Sequence, residues 1–103
     1  LANYAVDLTN PNLDRIISAV CRTFDLQPPE LASKSRKQGV VMARNTAFFL
    51  ARKYTDLSLK DIGQRFNRKH STVIKGITKV ERDLSKRTPL GRQFERALNL
   101  LEI

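Results

Sequence analysis

Apolar residues recur at helical spacing along almost the whole chain. Leu13, Ile16, Ile17, Val20, Cys21 and Phe24 follow one another at intervals of three, four and seven, which predicts a first amphipathic helix. Asn10-Pro11 ahead of it has the form of a cap followed by a proline at the first helical position. Pro28-Pro29 end that helix and open a short second one through Glu30, Leu31 and Ala32, after which Lys34-Ser-Arg-Lys-Gln-Gly forms a basic loop. A longer helix is expected from about Val40 to Tyr54, with Ala47, Leu50, Ala51 and Tyr54 inward.

Thr55-Asp-Leu-Ser reads as a turn in which Ser58 caps the next helix, and Asp61 complements the positive end of that helix. Leu59, Ile62, Gly63 and Phe66 then mark a helix of about two turns. Asn67-Arg-Lys is the following turn, and Val73, Ile74, Ile77, Val80 and Leu84 form the buried stripe of the next helix. Thr88-Pro89 repeats the cap and first-position proline, opening a last helix with Leu90, Phe94, Ala97, Leu98 and Leu101 apolar. No β alternation, internal repeat or low-complexity tract appears. The expected fold is therefore all-α, a compact bundle of about six helices, with residues 1–10 the remnant of a linker and 11–103 the domain.

Two short helices around a tight turn, the second with a basic, hydroxyl-rich outer face, are the arrangement by which proteins enter the DNA major groove. Residues 58 to 86 fit it. Gly63 is expected to permit close approach of the second helix. With Val73, Ile74 and Ile77 inward, the outward set is Ser71, Thr72, Lys75, Thr78, Lys79 and Arg82, and Arg68, Lys69 and His70 stand at the leading end.

Charge sharpens this picture. The chain has 103 residues, with nineteen Lys and Arg against ten Asp and Glu, and a net charge of +9. Fifteen of the basic residues and only four acidic ones fall between Lys34 and Arg87, a surplus of eleven, while both ends are nearly neutral. A solvated helix face usually mixes signs; this bias marks a polyanion-binding surface. The polar face of residues 70 to 86 mixes hydroxyls with charges and has no large aromatic flank, unlike a helix lying in a membrane interface.

No run approaches the roughly 18 apolar residues of a membrane span, and the start of the chain lacks the pattern of a signal peptide. The single Cys21 lies on an apolar stripe and is expected to be a buried, inert thiol. These features point to a cytoplasmic, nucleoid-associated protein without integral membrane association, and the missing initial Met suggests a fragment. His70, the one histidine, has no nearby carboxylate pair, cysteine or second histidine to serve as a catalytic partner. No glycine loop is present to cradle a phosphate. Catalytic residues, metal and cofactor are therefore not expected.

Four segments in order carry a family resemblance: Glu30-Leu-Ala-Ser-Lys-Ser-Arg, Ala43-Arg-Asn-Thr-Ala-Phe-Phe-Leu-Ala-Arg-Lys-Tyr-Thr, Leu57-Ser-Leu-Lys-Asp-Ile-Gly-Gln-Arg-Phe and Lys69-His-Ser-Thr-Val-Ile. From Leu13 to about Leu101 the chain resembles the C-terminal DNA-binding domain of the bacterial replication initiator DnaA. The resemblance implies sequence-specific binding of a short duplex box, with any ATPase and origin melting belonging to a preceding domain, through which further copies could associate. It implies minor-groove insertion for Arg36, which a planar guanidinium suits. Arg44 and Asn45 resemble an Arg-Gln pair touching backbone and groove edge. His70, Ser71 and Thr72 resemble a His-Thr-Thr that contacts bases and phosphate.

The sequence also departs from the family pattern. The turn before the second helix is one residue shorter than the family signature, Lys69 replaces an aspartate, Lys60 stands where proline is frequent, and Met42-Ala43 replace an Arg-Pro pair. The full expected DNA set is Arg36, Lys37, Arg44, Asn45, Lys60, Arg68, Lys69, His70, Ser71, Thr72, Lys75 and Lys79. Residues 68–79 are assigned to the major groove. A transposase-like or transcription-regulating protein sharing the fold is the alternative parent. A membrane-surface module and a ribonuclease are the rivals of other classes.

Overall fold

A computed structural model describes residues 12–86 and 89–102. Among the described residues six helices follow one another: α1 (Leu13–Phe24), α2 (Pro28–Leu31), α3 (Gln38–Tyr54), α4 (Leu59–Arg65), α5 (His70–Ser85) and α6 (Leu90–Leu100). The all-α expectation holds. The expected Asn10-Pro11 start and the linker at residues 1–10 lie outside the described residues. α1 is capped by Asn12, whose side chain accepts from Arg15 N at 2.9 Å. It stops at Asp25, which takes the left-handed conformation (φ 56°) and lets Leu26 N donate to Cys21 O. Thr88 is likewise undescribed. α6 begins at Leu90, immediately after Pro89.

α3, beginning two residues earlier than the periodicity suggests, is the central element. Its Ala43, Ala47, Phe48, Leu50 and Ala51 are fully buried, packed with Ile16, Val20, Ile62, Phe66 and Val73 from the helices around it. Phe48 meets Phe66 edge to face at 5.2 Å, and Phe49 meets Phe94 at 5.3 Å. Tyr54, expected inward, is half-buried, with the Lys53 ammonium 5.6 Å from its ring centre. Cys21 is buried as expected, and burial, reinforced by the Glu30 carboxylate, pushes its thiol above the ordinary cysteine pKa.

The crossing of α3 and α5 depends on a residue that the hydrophobic pattern does not mark. A Cβ added at Gly76 would lie 2.5 Å from Asn45 Oδ1 and 2.8 Å from Phe48 Cδ2. A mid-helix glycine costs about 1 kcal/mol against alanine. Here it lets α5 lie directly on α3.

One assignment to the buried stripe of α5 is corrected. Val73 and Val80 are buried and Ile77 is half-buried, but Ile74 is 43% exposed and does not pack against the core. At 100° per residue, Ile74 falls well to the side of the line through Val73, Gly76 and Val80. The glycine at 76 brings α3 so close that the buried stripe is narrow.

Candidate nucleic-acid interface

The helix-turn-helix is assembled by local chemistry between α4 and α5. Ser58 Oγ accepts from Asp61 N at 3.0 Å, capping α4 as its sequence indicates. The turn at its end needs a left-handed residue, which Asn67 supplies at φ 57°. Arg68 N then donates to Gly63 O at 2.7 Å. A Cβ at Gly63 would overlap Arg68 O, so the glycine admits the turn that leads into α5 rather than α5 itself. α5 follows, with Lys69 as its cap residue in extended conformation.

Lys69 has no acceptor in its side chain, and the first turn of α5 contains no acidic residue. The helix therefore opens with a positive dipole end and a lysine together. His70, Ser71, Thr72, Lys75, Thr78, Lys79 and Arg82 are all exposed along the outer face, as the periodicity indicates. Lys79 Nζ lies 3.7 Å from Asp83 Oδ2, one helical turn on.

The basic loop between α2 and α3 presents Arg36 and Lys37, both exposed. Serine side chains stiffen it: Ser35 N donates to Ser33 Oγ at 3.2 Å, and Lys37 N to Ser35 Oγ at 3.3 Å. Arg36, Gln38 and Met42 border an open groove of about 600 Å³ whose far side includes Lys79 and Leu90. The loop thus lies beside the C-terminal half of α5. Lys60 is exposed on the first turn of α4.

Two arginines of the expected set are turned inward. Arg44 is only 6% exposed, and its guanidinium donates to Leu31 O (2.6 Å), Ser33 O (3.0 Å) and Ser35 O (3.3 Å). Burial first, and the nearby Arg68 second, lower its pKa from the ordinary arginine value. The carbonyls of Leu31 in α2 and of Ser33 and Ser35 in the segment after it occupy its fork. Arg68 is half-buried and donates to Phe66 O (3.0 Å), Asn67 O (3.3 Å) and, from Nη2, to the same Ser33 O (2.5 Å).

One carbonyl oxygen therefore joins α3, the basic loop and the helix-turn-helix turn. Asn45, also expected on the surface, is half-buried, with Oδ1 beside Gly76 at the α3–α5 crossing. The sequence carries a signal for Gly76, a glycine in the middle of an otherwise strong helical pattern. It carries none for the carbonyl at Ser33.

Among the described residues, no group of three or more His, Cys, Asp and Glu side chains could hold a metal ion, and no helix is long and apolar enough to cross a membrane.

A short helix, a four-residue connection and an exposed basic helix on an all-α core define a helix-turn-helix domain. The chain belongs to the family described as Bacterial dnaA protein helix-turn-helix, which it matches over residues 13–80. It is 54% identical over 102 residues to the chromosomal replication initiator protein DnaA of Oleidesulfovibrio alaskensis, covering 99% of this chain and 22% of that protein. The proteins of the same name from Lachnoclostridium phytofermentans and Porphyromonas gingivalis are 41% and 37% identical, covering 78% and 86% of this chain and 19% of each of those proteins. The chain thus spans about a fifth of the length of these relatives.

Proposed function

We propose that this chain is the module by which a chromosomal replication initiator reads a short box in double-stranded DNA. The observation that carries this reading is the exposed, cationic α5 at the end of a helix-turn-helix in a chain of this family. In this reading the leading end of α5, from Lys69 to Thr72, meets base edges in the major groove, because the first residues of a recognition helix reach furthest. Lys37, Lys60, Lys75 and Lys79 neutralise phosphates. Arg36 enters the adjacent minor groove, where narrowness concentrates negative potential.

Arg44 and Arg68 act differently from the others. By sharing Ser33 O they tie the loop bearing Arg36 to the turn bearing Lys69, so both groove readers move as one body. Asn45 serves the same end by seating α5 on α3. The initiator's nucleotide chemistry and contacts between copies belong, on this reading, to regions beyond the 103 residues. The DNA-bound form of such a protein is nucleoid-associated.

Selection of bound sequences from a random duplex pool tests the proposal, followed by titration of the selected duplex and a random one between 50 and 200 mM salt. A discrete box is expected. If about six phosphates are contacted, the logarithm of affinity should fall against log salt with a slope near −5. Recovery of no common sequence together with a flat salt response would overturn the reading.

A further inference from the structure

We propose that Ile74 is a specificity-determining residue that reads the 5-methyl group of a thymine in the major groove, an inference that rests on the duplex-reading function above. Among the described residues, Ile74 is the one large apolar side chain left exposed, at 43%. It takes no part in the hydrophobic core. The helix does not need it either, since β-branched residues lose rotamer freedom in helices and alanine or lysine would serve an exposed position better. An isoleucine there holds apolar surface in water with no return from the fold.

Its position gives that surface a use. Ile74 lies three residues after Ser71 and four after His70, which puts it one turn behind the leading end of α5 and adjacent to both on the helix surface. Four residues further on, Thr78 donates its hydroxyl proton back to Ile74 O at 3.0 Å, so this proton is turned away from the outer face. The strip from Ile74 to Thr78 therefore offers carbon and an acceptor oxygen, beside the donor-only ammonium groups of Lys75 and Lys79. Lys75, beside it, supplies a charge suited to phosphate or guanine.

The major-groove edges of the four base pairs present donors, acceptors and a single kind of apolar group, the thymine methyl. An exposed aliphatic side chain on the reading face matches that group and is mismatched to every other. Ile74 thus adds one apolar letter to a reading otherwise made by hydroxyl, imidazole and ammonium groups.

The test separates this contact from DNA binding as a whole. A duplex selected with the 103-residue chain is remade with deoxyuridine replacing thymine one position at a time, which removes only the methyl group. Affinities are measured for the wild type, Ile74→Ala and Ile74→Val. One thymine is expected whose replacement weakens the wild type about fourfold, the worth of one buried methyl-sized group.

At that position the penalty should shrink to under about 1.5-fold in Ile74→Ala and persist in Ile74→Val, which keeps two methyl groups facing the base. Ile74→Ala should fold unaltered, because alanine is the stronger helix former; far-ultraviolet circular dichroism checks this. If a discrete box is selected but every deoxyuridine penalty is the same in wild type and Ile74→Ala, the duplex-reading function stands and the role given to Ile74 is wrong. If no box is selected, both fail.

Discussion

Replacing Arg44 with alanine separates structural from DNA-contacting arginines. The substitution removes three hydrogen bonds from a charged donor, at 2.6, 3.0 and 3.3 Å. The partner of the shortest is a carbonyl on Leu31, a residue 1% exposed, which would lose its partner inside the fold. An orphaned buried acceptor costs about 1–3 kcal/mol. The Ser33 and Ser35 carbonyls belong to half-buried residues and can turn to water, and Ser33 O also keeps Arg68, so their share is about 1 kcal/mol. The sum is about 2–4 kcal/mol, a fall in Tm of roughly 10–20 °C for a domain of this size.

Arg44→Lys should recover little of this, since an ammonium cannot fork across three carbonyls fixed at different angles. The control is Arg36→Ala, an exposed loop residue whose removal should change stability by no more than about 0.5 kcal/mol while weakening duplex binding. Thermal melting of the three variants, paired with binding to a selected duplex at a temperature where each is folded, gives the comparison. If Arg44→Ala melts within about 2 °C of wild type and loses as much affinity as Arg36→Ala, Arg44 touches DNA and the account of the loop is wrong.

Further outcomes are expected at the reading face and in the core. His70→Ala and Thr72→Ala should each weaken a selected box by about 1–3 kcal/mol and a random duplex much less, because base contacts specify and phosphate contacts position; competition binding on both duplexes checks this. Lys69→Asp should lower affinity for random duplex and move selection at one position towards cytosine on the contacted strand, since lysine only donates and aspartate accepts from cytosine N4. Selection of the same base at every position would place Lys69 on a phosphate. Cys21 has its pKa raised, chiefly by burial, so whatever stability its neutral thiol adds is complete below the unfolded thiol's pKa, about 8.5, and is lost as pH rises above it. Labelling of Cys21 at pH 8 by an aromatic disulfide should accordingly be slow in the native protein and fast in denaturant.

Helix order, the α4 cap at Ser58, the buried stripes of α1 and α6 and the outer face of α5 all follow from periodicity and capping chemistry. Each of those depends on residues three or four apart in sequence. The placements that differ depend on contacts between distant segments. Arg44 and Arg68 look like surface cations because they sit in the basic part of the chain, yet their partners are backbone carbonyls up to 35 residues away, which leave no trace in residue types. Ile74 reads as core because it is apolar and next to Val73. The helical angle already sets Ile74 to the side of Val73 and Val80, and the closeness of α3 at Gly76, a property of two packed helices, keeps the buried stripe too narrow to reach it.

The glycine at that crossing also limits how such a domain can change its target. A recognition helix resting on side chains could be repacked and tilted by altering their size. With α5 seated on Asn45 and Phe48 through Gly76, any larger residue there runs into Asn45 Oδ1 and the buried Phe48 ring, so that these side chains or the helix must shift. New binding preferences are therefore open chiefly through exchange of outward side chains such as those at 69, 71, 72, 74 and 78, on a helix whose bearing stays fixed. Libraries built to redirect the domain to another box should vary those positions and leave 45, 48 and 76 alone.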